Sequence, residues 1–416
     1  GFSAGAFGAT AEVLGMTQDP SEGTVVVTYS LSGGPAIVTF DAVTNAEGVA
    51  GNAFPIGDRH FQRVTGDVNR VVQGDGATKT IVWKMDDSIV GFRAQGTLRP
   101  RIRVWDVAFP PDYMVVDLVA ETGSQDRIRY YASADAIPGG LLDNRDYRES
   151  KVVMRKIHAP VGGKWVMGGP ASESTRDNEG QHEVLLSYDY YIGVFEVTQM
   201  QLFYARGVSS KWSSNFKETD WKFRPAENCH YGDIRGAGSS PTATPSTGSF
   251  LEKFRTLTNV AFDLPTEMQW EYACRACNGD NRWGDGSVMN ADNLKSLARY
   301  KMNGGYIDGT TAPDATCSAS NGTACVGTYN PNGFGLYDMH GNVAEITRDT
   351  YVKDITDTDG TVVTSGVEHT VRGGSYLADA VNVRSAYRMQ GDDDKRMTYV
   401  GFRLFCPSDA SRILSN

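Results

Sequence analysis

The stretch from Asn332 to Ile346, NGFGLYDMHGNVAEI, constrains this chain more than any other. Gly333, Gly335 and Gly341 stand among Phe334, Leu336, Tyr337 and Met339. Glycine reaches backbone angles closed to other residues, so this density predicts a tightly turned, buried segment, neither helix nor plain strand. The same stretch carries Asp338, Asn342 and Glu345. Their oxygens, with turned backbone carbonyls, are hard ligands of the kind calcium takes. They equally suit a core loop whose polar side chains satisfy its own backbone, as Asn and Asp commonly do. On the residues alone both readings stand.

At 416 residues the chain has material for two or three domains. A formal charge of −10 argues against nucleic acid or an anionic membrane as the main partner. No apolar run approaches the roughly 20 residues of a transmembrane helix. The sequence starts at Gly1 and not at Met, for which a cleaved export signal, as in bacterial secretion, is one expectation.

Cys317 and Cys325 flank the polar loop CSASNGTAC and read as a local disulfide staple. Cys274 and Cys277 stand three apart in EYACRAC, without the strand-then-helix context of a redox pair. His230 beside Cys229 does not have zinc-ligand spacing. The cysteines therefore read as mainly structural, which favours a secreted or cell-surface protein.

In the N-terminal third, TVVVTYSLS (24–32) alternates with Val25, Val27 and Tyr29 on one face and ends at the turn Gly33-Gly34-Pro35. AIVTF (36–40), TIVWKM (80–85) and RIRVWDV (101–107) follow, separated by Gly, Asp and Asn clusters. This pattern predicts antiparallel strands in an all-β immunoglobulin-like sandwich over residues 1–110, acting as a spacer or docking module. The small, glycine-rich segment from Gly1 to about Ala11 reads as a tail, or as a strand that pairs only with a partner. Residues 111–150, with MVVDLVA and RIRYYA, form bridging strands or a linker.

A new organisation, residues 151–416, begins with KVVMRKI. Thr198 with Gln201, and Thr266 with Gln269, predict capping boxes that open helices, and Ser249 opens a third helix with Phe250, Leu251 and Phe254 as its buried stripe. Glu196 reads as a first-turn charge. Glu267 and Glu271 share one helix face, either solvated, bridged to Arg275, or free to bind a metal or another arginine. The polar span from about Val208 to Gly248 reads as long surface loops.

The stretches KWVMGG, YYIGVFEVTQMQLF, DLPTEMQWEYACRA, RWGDG, VGTYNPNGFGLYDMHGNVAEITRD, VRGGSYLADAVNVRSAYR and YVGFRLF occur in this order between Lys164 and Phe405. In that order they resemble the formylglycine-generating enzyme, or sulfatase-modifying factor, family, over about residues 151–407. The resemblance implies an α+β fold related to C-type lectins, with long loops and structural calcium. It also implies a copper(I)-binding cysteine pair shortly after the G-G-S motif, since soft thiolates suit that ion. Here the motif is Arg372-Gly373-Gly374-Ser375-Tyr376, and the positions of the pair hold Ala378 and Val383. No copper is expected, and neither is the enzyme's activity. The calcium loop carries over to Asp338, Gly341, Val343 and Glu345, and a second site would fall near Asn293, Leu294 and Asp308.

The expected function is a non-catalytic scaffold that binds a protein or glycan, or self-associates through its N-terminal tail. The alternative is a metal-dependent oxidoreductase with a rebuilt active site, using Cys274, Cys277 or the histidines.

Overall fold

The computed structural model describes residues 8–45, 53–55, 57–85, 97–170, 172, 178–206, 214, 220–279, 281–303, 306–307, 310–311, 322–353, 355 and 359–414. Asp308, Cys317 and Gly1 to Phe7 lie outside them, and with them one residue of the second calcium position, one end of the Cys317–Cys325 staple and most of the tail. The chain divides into two compact units. One comprises Gly1–Val116, Ala120–Tyr147 and Ser408–Ala410, the other Asp117–Val119, Arg148–Pro407 and Ser411–Asn416. Strands outnumber helices throughout the described residues.

In the first unit the strands are β1 (Thr10–Asp19), β2 (Thr24–Ser32), β3 (Ala36–Asn45), β4 (Ala53–Pro55), β5 (Val64–Gly66), β6 (Arg70–Val72), β7 (Asp75–Lys84), β8 (Thr97–Trp105), β9 (Tyr113–Asp117) and β10 (Ile128–Tyr131). One antiparallel sheet has the order β1-β2-β7-β5, and the other runs β4-β3-β6 with β8 also on β3. Alternation along β2 points Val25, Val27 and Tyr29 inward, as the period-two pattern demands. They meet Ala36, Val38 and Phe40 of β3 and Ile81 and Trp83 of β7 in one apolar core. β1 is a strand the alternation did not announce. Most of its side chains are exposed, so backbone pairing with β2 and not burial defines it.

The second unit holds β11 (Lys151–Ile157), β12 (Lys164–Met167), β13 (His182–Leu185), β14 (Tyr190–Gly193), β15 (Tyr306–Ile307), β16 (Thr310–Thr311), β17 (Ala344–Thr350), β18 (His369–Arg372), β19 (Arg388–Gln390), β20 (Val400–Gly401) and β21 (Phe405–Pro407). A short helix, α1 (Asp146–Glu149), precedes them, and α2 (Gln199–Arg206), α3 (Tyr231–Arg235), α4 (Phe250–Thr258), α5 (Glu267–Arg275) and α6 (Ala291–Leu294) are interleaved. Both capping boxes form. The Thr198 and Thr266 hydroxyls each accept the amide three residues on at 3.2 Å, and the Gln201 and Gln269 side chains accept back at 2.9 and 2.8 Å.

Two readings of the sequence are corrected here. The span 208–248 is not all surface loop: α3 lies within it, opened by a capping box at His230, and Arg224, Glu227 and Arg235 are fully buried. Glu267 and Glu271 do not lie on a solvated face. Both are buried, because α5 is surrounded on all sides by packed elements.

Candidate functional site

The loop from Asp338 to Glu345 enters β17 through left-handed backbone at Asp338 (φ 59°), Gly341 (φ 101°) and Asn342 (φ 64°). At Gly341 a Cβ would meet the Arg299 carbonyl oxygen at 2.3 Å, so only glycine fits. Asn332 fixes the loop's approach. Its side-chain oxygen accepts from the Phe334 and Leu336 amides at 3.0 and 3.1 Å, and its Nδ2 donates to the Ala273 carbonyl at the end of α5 at 2.7 Å.

The polar residues of this loop are buried and unequal. Glu345 is saturated: Trp270 Nε1 donates to it at 2.7 Å, and Arg403 Nη2 and Nε donate at 2.7 and 2.9 Å. Arg403 also caps the Gly193, Val194 and Tyr337 carbonyls. Glu196 is not a first-turn charge: it lies ahead of the Thr198 cap of α2, is fully buried, and accepts from Asn342 Nδ2 at 2.6 Å and the Val343 amide at 3.0 Å. Asp338 Oδ2 accepts the Gly327 amide at 2.7 Å, while its Oδ1 is buried and has no partner among the described residues. Three carboxyls thus crowd around the Arg403 guanidinium in the interior, with the charge of Arg148 also acting on Asp338. Burial, then Asp338 and Glu345, push the Glu196 pKa well above the carboxylate range. Burial likewise pushes Asp338 up to about 6. The sequence offered a signal for both Arg403 and Glu196: a charged residue inside an apolar run, as in GFRLF and GVFEV, must find a buried partner.

A structural calcium ion can be tested against these residues. The open Oδ1 of Asp338 suits a hard cation, whose charge would offset the crowding of the Asp338, Glu196 and Glu345 carboxyls. The Glu345 oxygens, committed to Arg403 and Trp270, could join only by sharing those donors. Among the described residues no group of three or more His, Cys, Asp or Glu side chains is set to hold a metal, so backbone oxygens such as those of Gly341 and Val343 would have to complete a site. Asn293 and Leu294 sit on or beside α6, Leu294 buried in apolar contacts and Asn293 Nδ2 donating to the Val288 carbonyl at 2.8 Å.

The motif Arg372-Gly373-Gly374-Ser375 starts at the last residue of β18. Gly374 has φ 68°, and a Cβ there would meet the Asn382 carbonyl oxygen at 2.4 Å. Ser375 is buried, and its hydroxyl accepts the Leu377 amide at 3.3 Å. Val383 is fully buried among Trp283, Leu294, Leu297, Ala298 and Tyr300, with Ala378 packed against the same cluster. Among the described thiols, Cys274 lies 3.7 Å from His340 Nε2 and 3.5 Å from Ser385 Oγ. Burial pushes the Cys274 pKa up to about 12 and the His340 pKa down to about 4, so both are neutral. Cys274 also lies in the last turn of α5, the end where a helix disfavours a thiolate. Cys229, Cys274, Cys277 and Cys406 are all free thiols.

A cavity of about 180 Å³ is lined by Glu179, His182, Glu271 and Arg388 among others. Its charges are spoken for. Glu179 pairs with Arg384 at 2.8 Å, Glu271 with Arg275 at 2.7 Å and with Arg372, and Arg388 with Glu267 at 2.5 Å. No helix of the described residues is long and apolar enough to cross a membrane.

Comparison with known proteins agrees with the motif order. The family model described as the sulfatase-modifying factor enzyme 1-like domain matches residues 153–406. The formylglycine-generating enzyme of Streptomyces coelicolor is 34% identical over 157 residues, covering 35% of this chain and 46% of the relative. The chain therefore spans less than half the length of that curated relative. The inactive C-alpha-formylglycine-generating enzyme 2 of Mus musculus is 26% identical over 290 residues, covering 62% of this chain and 86% of the relative. Among solved structures, PvdO from Pseudomonas aeruginosa aligns with a TM-score of 0.49 and 19% identity, over 61% of this chain and 94% of its own.

Proposed function

Because the chain belongs, over residues 153–406, to the family of the sulfatase-modifying factor enzyme 1-like domain, we propose that it uses this scaffold without the enzyme's chemistry. Its role is binding or self-assembly, secreted or at the cell surface. One observation carries the proposal: the positions that the family resemblance gives to the copper-binding pair hold Ala378 and Val383, packed into an apolar cluster. Neither side chain can ligate copper or exchange with a thiol, and Val383 is fully buried in that cluster. The likeness to a relative named as inactive points the same way.

The finer features belong to the same proposal. Residues 1–110 serve as an immunoglobulin-like spacer or docking module, supported by two antiparallel sheets sharing one core. Calcium is structural and sits at Asp338, Gly341, Val343 and Glu345, supported by the unpartnered Asp338 Oδ1 and by the crowding of carboxyls that pushes the neighbouring Glu196 pKa upward. A second calcium near Asn293, Leu294 and Asp308 and a Cys317–Cys325 staple complete the set. Binding partners are a protein, a glycan or a second copy.

The alternative is a rebuilt metal-dependent oxidoreductase using Cys274, Cys277 or the histidines, of which Cys274 and His340 lie side by side. A thiol held neutral by burial is a poor metal ligand and a poor nucleophile. Elemental analysis of the purified chain separates the two readings. Calcium without stoichiometric copper or iron is expected; stoichiometric copper or iron would overturn the scaffold reading.

A further inference from the structure

Away from the loop and the Gly-Gly-Ser motif, three arginines from three elements converge on one carboxylate. Arg235 closes α3, Arg255 lies on α4, Arg348 on β17, and Asp263 between α4 and α5. All three reach the same oxygen, Asp263 Oδ2: Arg235 Nη2 at 3.1 Å, Arg255 Nη2 at 3.4 Å and Arg348 Nε at 3.9 Å. Asp263 Oδ1 is taken by Arg235 Nε at 2.7 Å and the Leu264 amide at 2.8 Å.

The three guanidiniums are not equivalent. Arg235 is fully buried and spends its remaining N–H groups on the Tyr231 hydroxyl and the Ser240 and Ala243 carbonyls. It is a structural strut. Arg255 and Arg348 each give their Nε to a carbonyl, of Phe262 at 2.7 Å and Pro241 at 2.5 Å. Beyond that, Arg255 Nη1 and both terminal nitrogens of Arg348 donate no hydrogen bond to the described residues. Their side chains are 16% and 21% exposed, so these N–H groups reach solvent from a largely desolvated base. The neighbouring carboxyl, Asp349, is turned away, accepting the Glu267 and Val363 amides at 2.5 and 2.8 Å.

Three cations against Asp263, with Asp349 acting on Arg348 only at a distance, leave net positive charge in a partly buried place. Burial and the like charges of Arg235 and Arg348 press the Arg255 pKa downward, the sign of a cluster short of negative charge. Planar guanidiniums with free, fixed N–H forks match tetrahedral oxyanions, and a dianion balances the excess.

We propose that Arg255 and Arg348, held together by Asp263, form a binding site for a phosphate-type dianion, free or carried on a ligand. The site uses no residue of the calcium loop or of the apolar cluster at Val383.

The test is a thermal-shift and calorimetric titration with inorganic phosphate, with glucose 6-phosphate, and with glucose plus sodium chloride at matched ionic strength. Saturable binding of phosphate, weakened roughly tenfold or more in R255Q/R348Q, is expected, since charge-assisted hydrogen bonds are lost. Tighter binding of glucose 6-phosphate than of phosphate would assign the site to a phosphorylated ligand, and equal binding to the free ion. Phosphate stabilising no better than chloride, or stabilising the double variant as well as the parent, would refute it. Should the double variant fail to fold, R348Q alone, at the more exposed end, answers the same question.

Discussion

Residue by residue, the buried charges of the second unit divide into settled and unsettled. Glu345 is settled by Arg403 and Trp270, and removing Arg403 would leave it uncompensated in the interior. Asp338 is unsettled. Its folded-state pKa of about 6 lies above the ordinary 3.8, so the folded chain holds that proton more tightly than the unfolded one. The stability this group contributes is therefore complete below the ordinary value and is lost as pH rises through about 6. In chelator, urea unfolding at pH 5 and pH 7.5 should show the parent losing about 1 kcal/mol more than Asp338→Asn across that interval. Saturating calcium should remove the difference, since the cation then takes over from the proton. An identical pH response in parent and variant would rule out the proposed state of Asp338.

Among the elements, helix starts were legible because capping is local. A hydroxyl and an amide three residues apart find each other whatever the rest of the chain does. Thr198→Ala and Thr266→Ala should each lower stability by about 1 kcal/mol in chemical unfolding, with α2 and α5 otherwise unchanged. The buried stripe of α4 (Phe250, Leu251, Phe254) and the inward face of β2 were equally legible, from periodicity. Other features were not. β1 is mostly exposed and carries no alternation signal, and α3 is only five residues long inside a polar span. Of the charges on α5, the Glu271–Arg275 bridge was legible as a pair four positions apart, and the other partners were not. Glu271 and Glu267 form a ladder with Arg275, Arg372 and Arg388, four positions to 121 positions away, and no pattern on the helix names those distant partners.

At the scale of the whole molecule, the two units each carry their own apolar core. If calcium occupies the Asp338 loop, a chelator should lower one calorimetric transition, that of the unit containing the loop, and leave the other in place. A uniform shift of both, or none, would count against a structural ion there. The motif order from Lys164 to Phe405, the strand pattern of the N-terminal third, and the replacement of the cysteine pair by Ala378 and Val383 were determined by the sequence itself. These depend on residue identity and near neighbours. Tertiary structure alone decided that Val383 seals an apolar cluster, that Glu345 answers to Arg403 58 positions away, and that Arg255 and Arg348 meet over Asp263. A residue's identity fixes its charge and shape, but its partner is set by which distant backbone segments the core brings together.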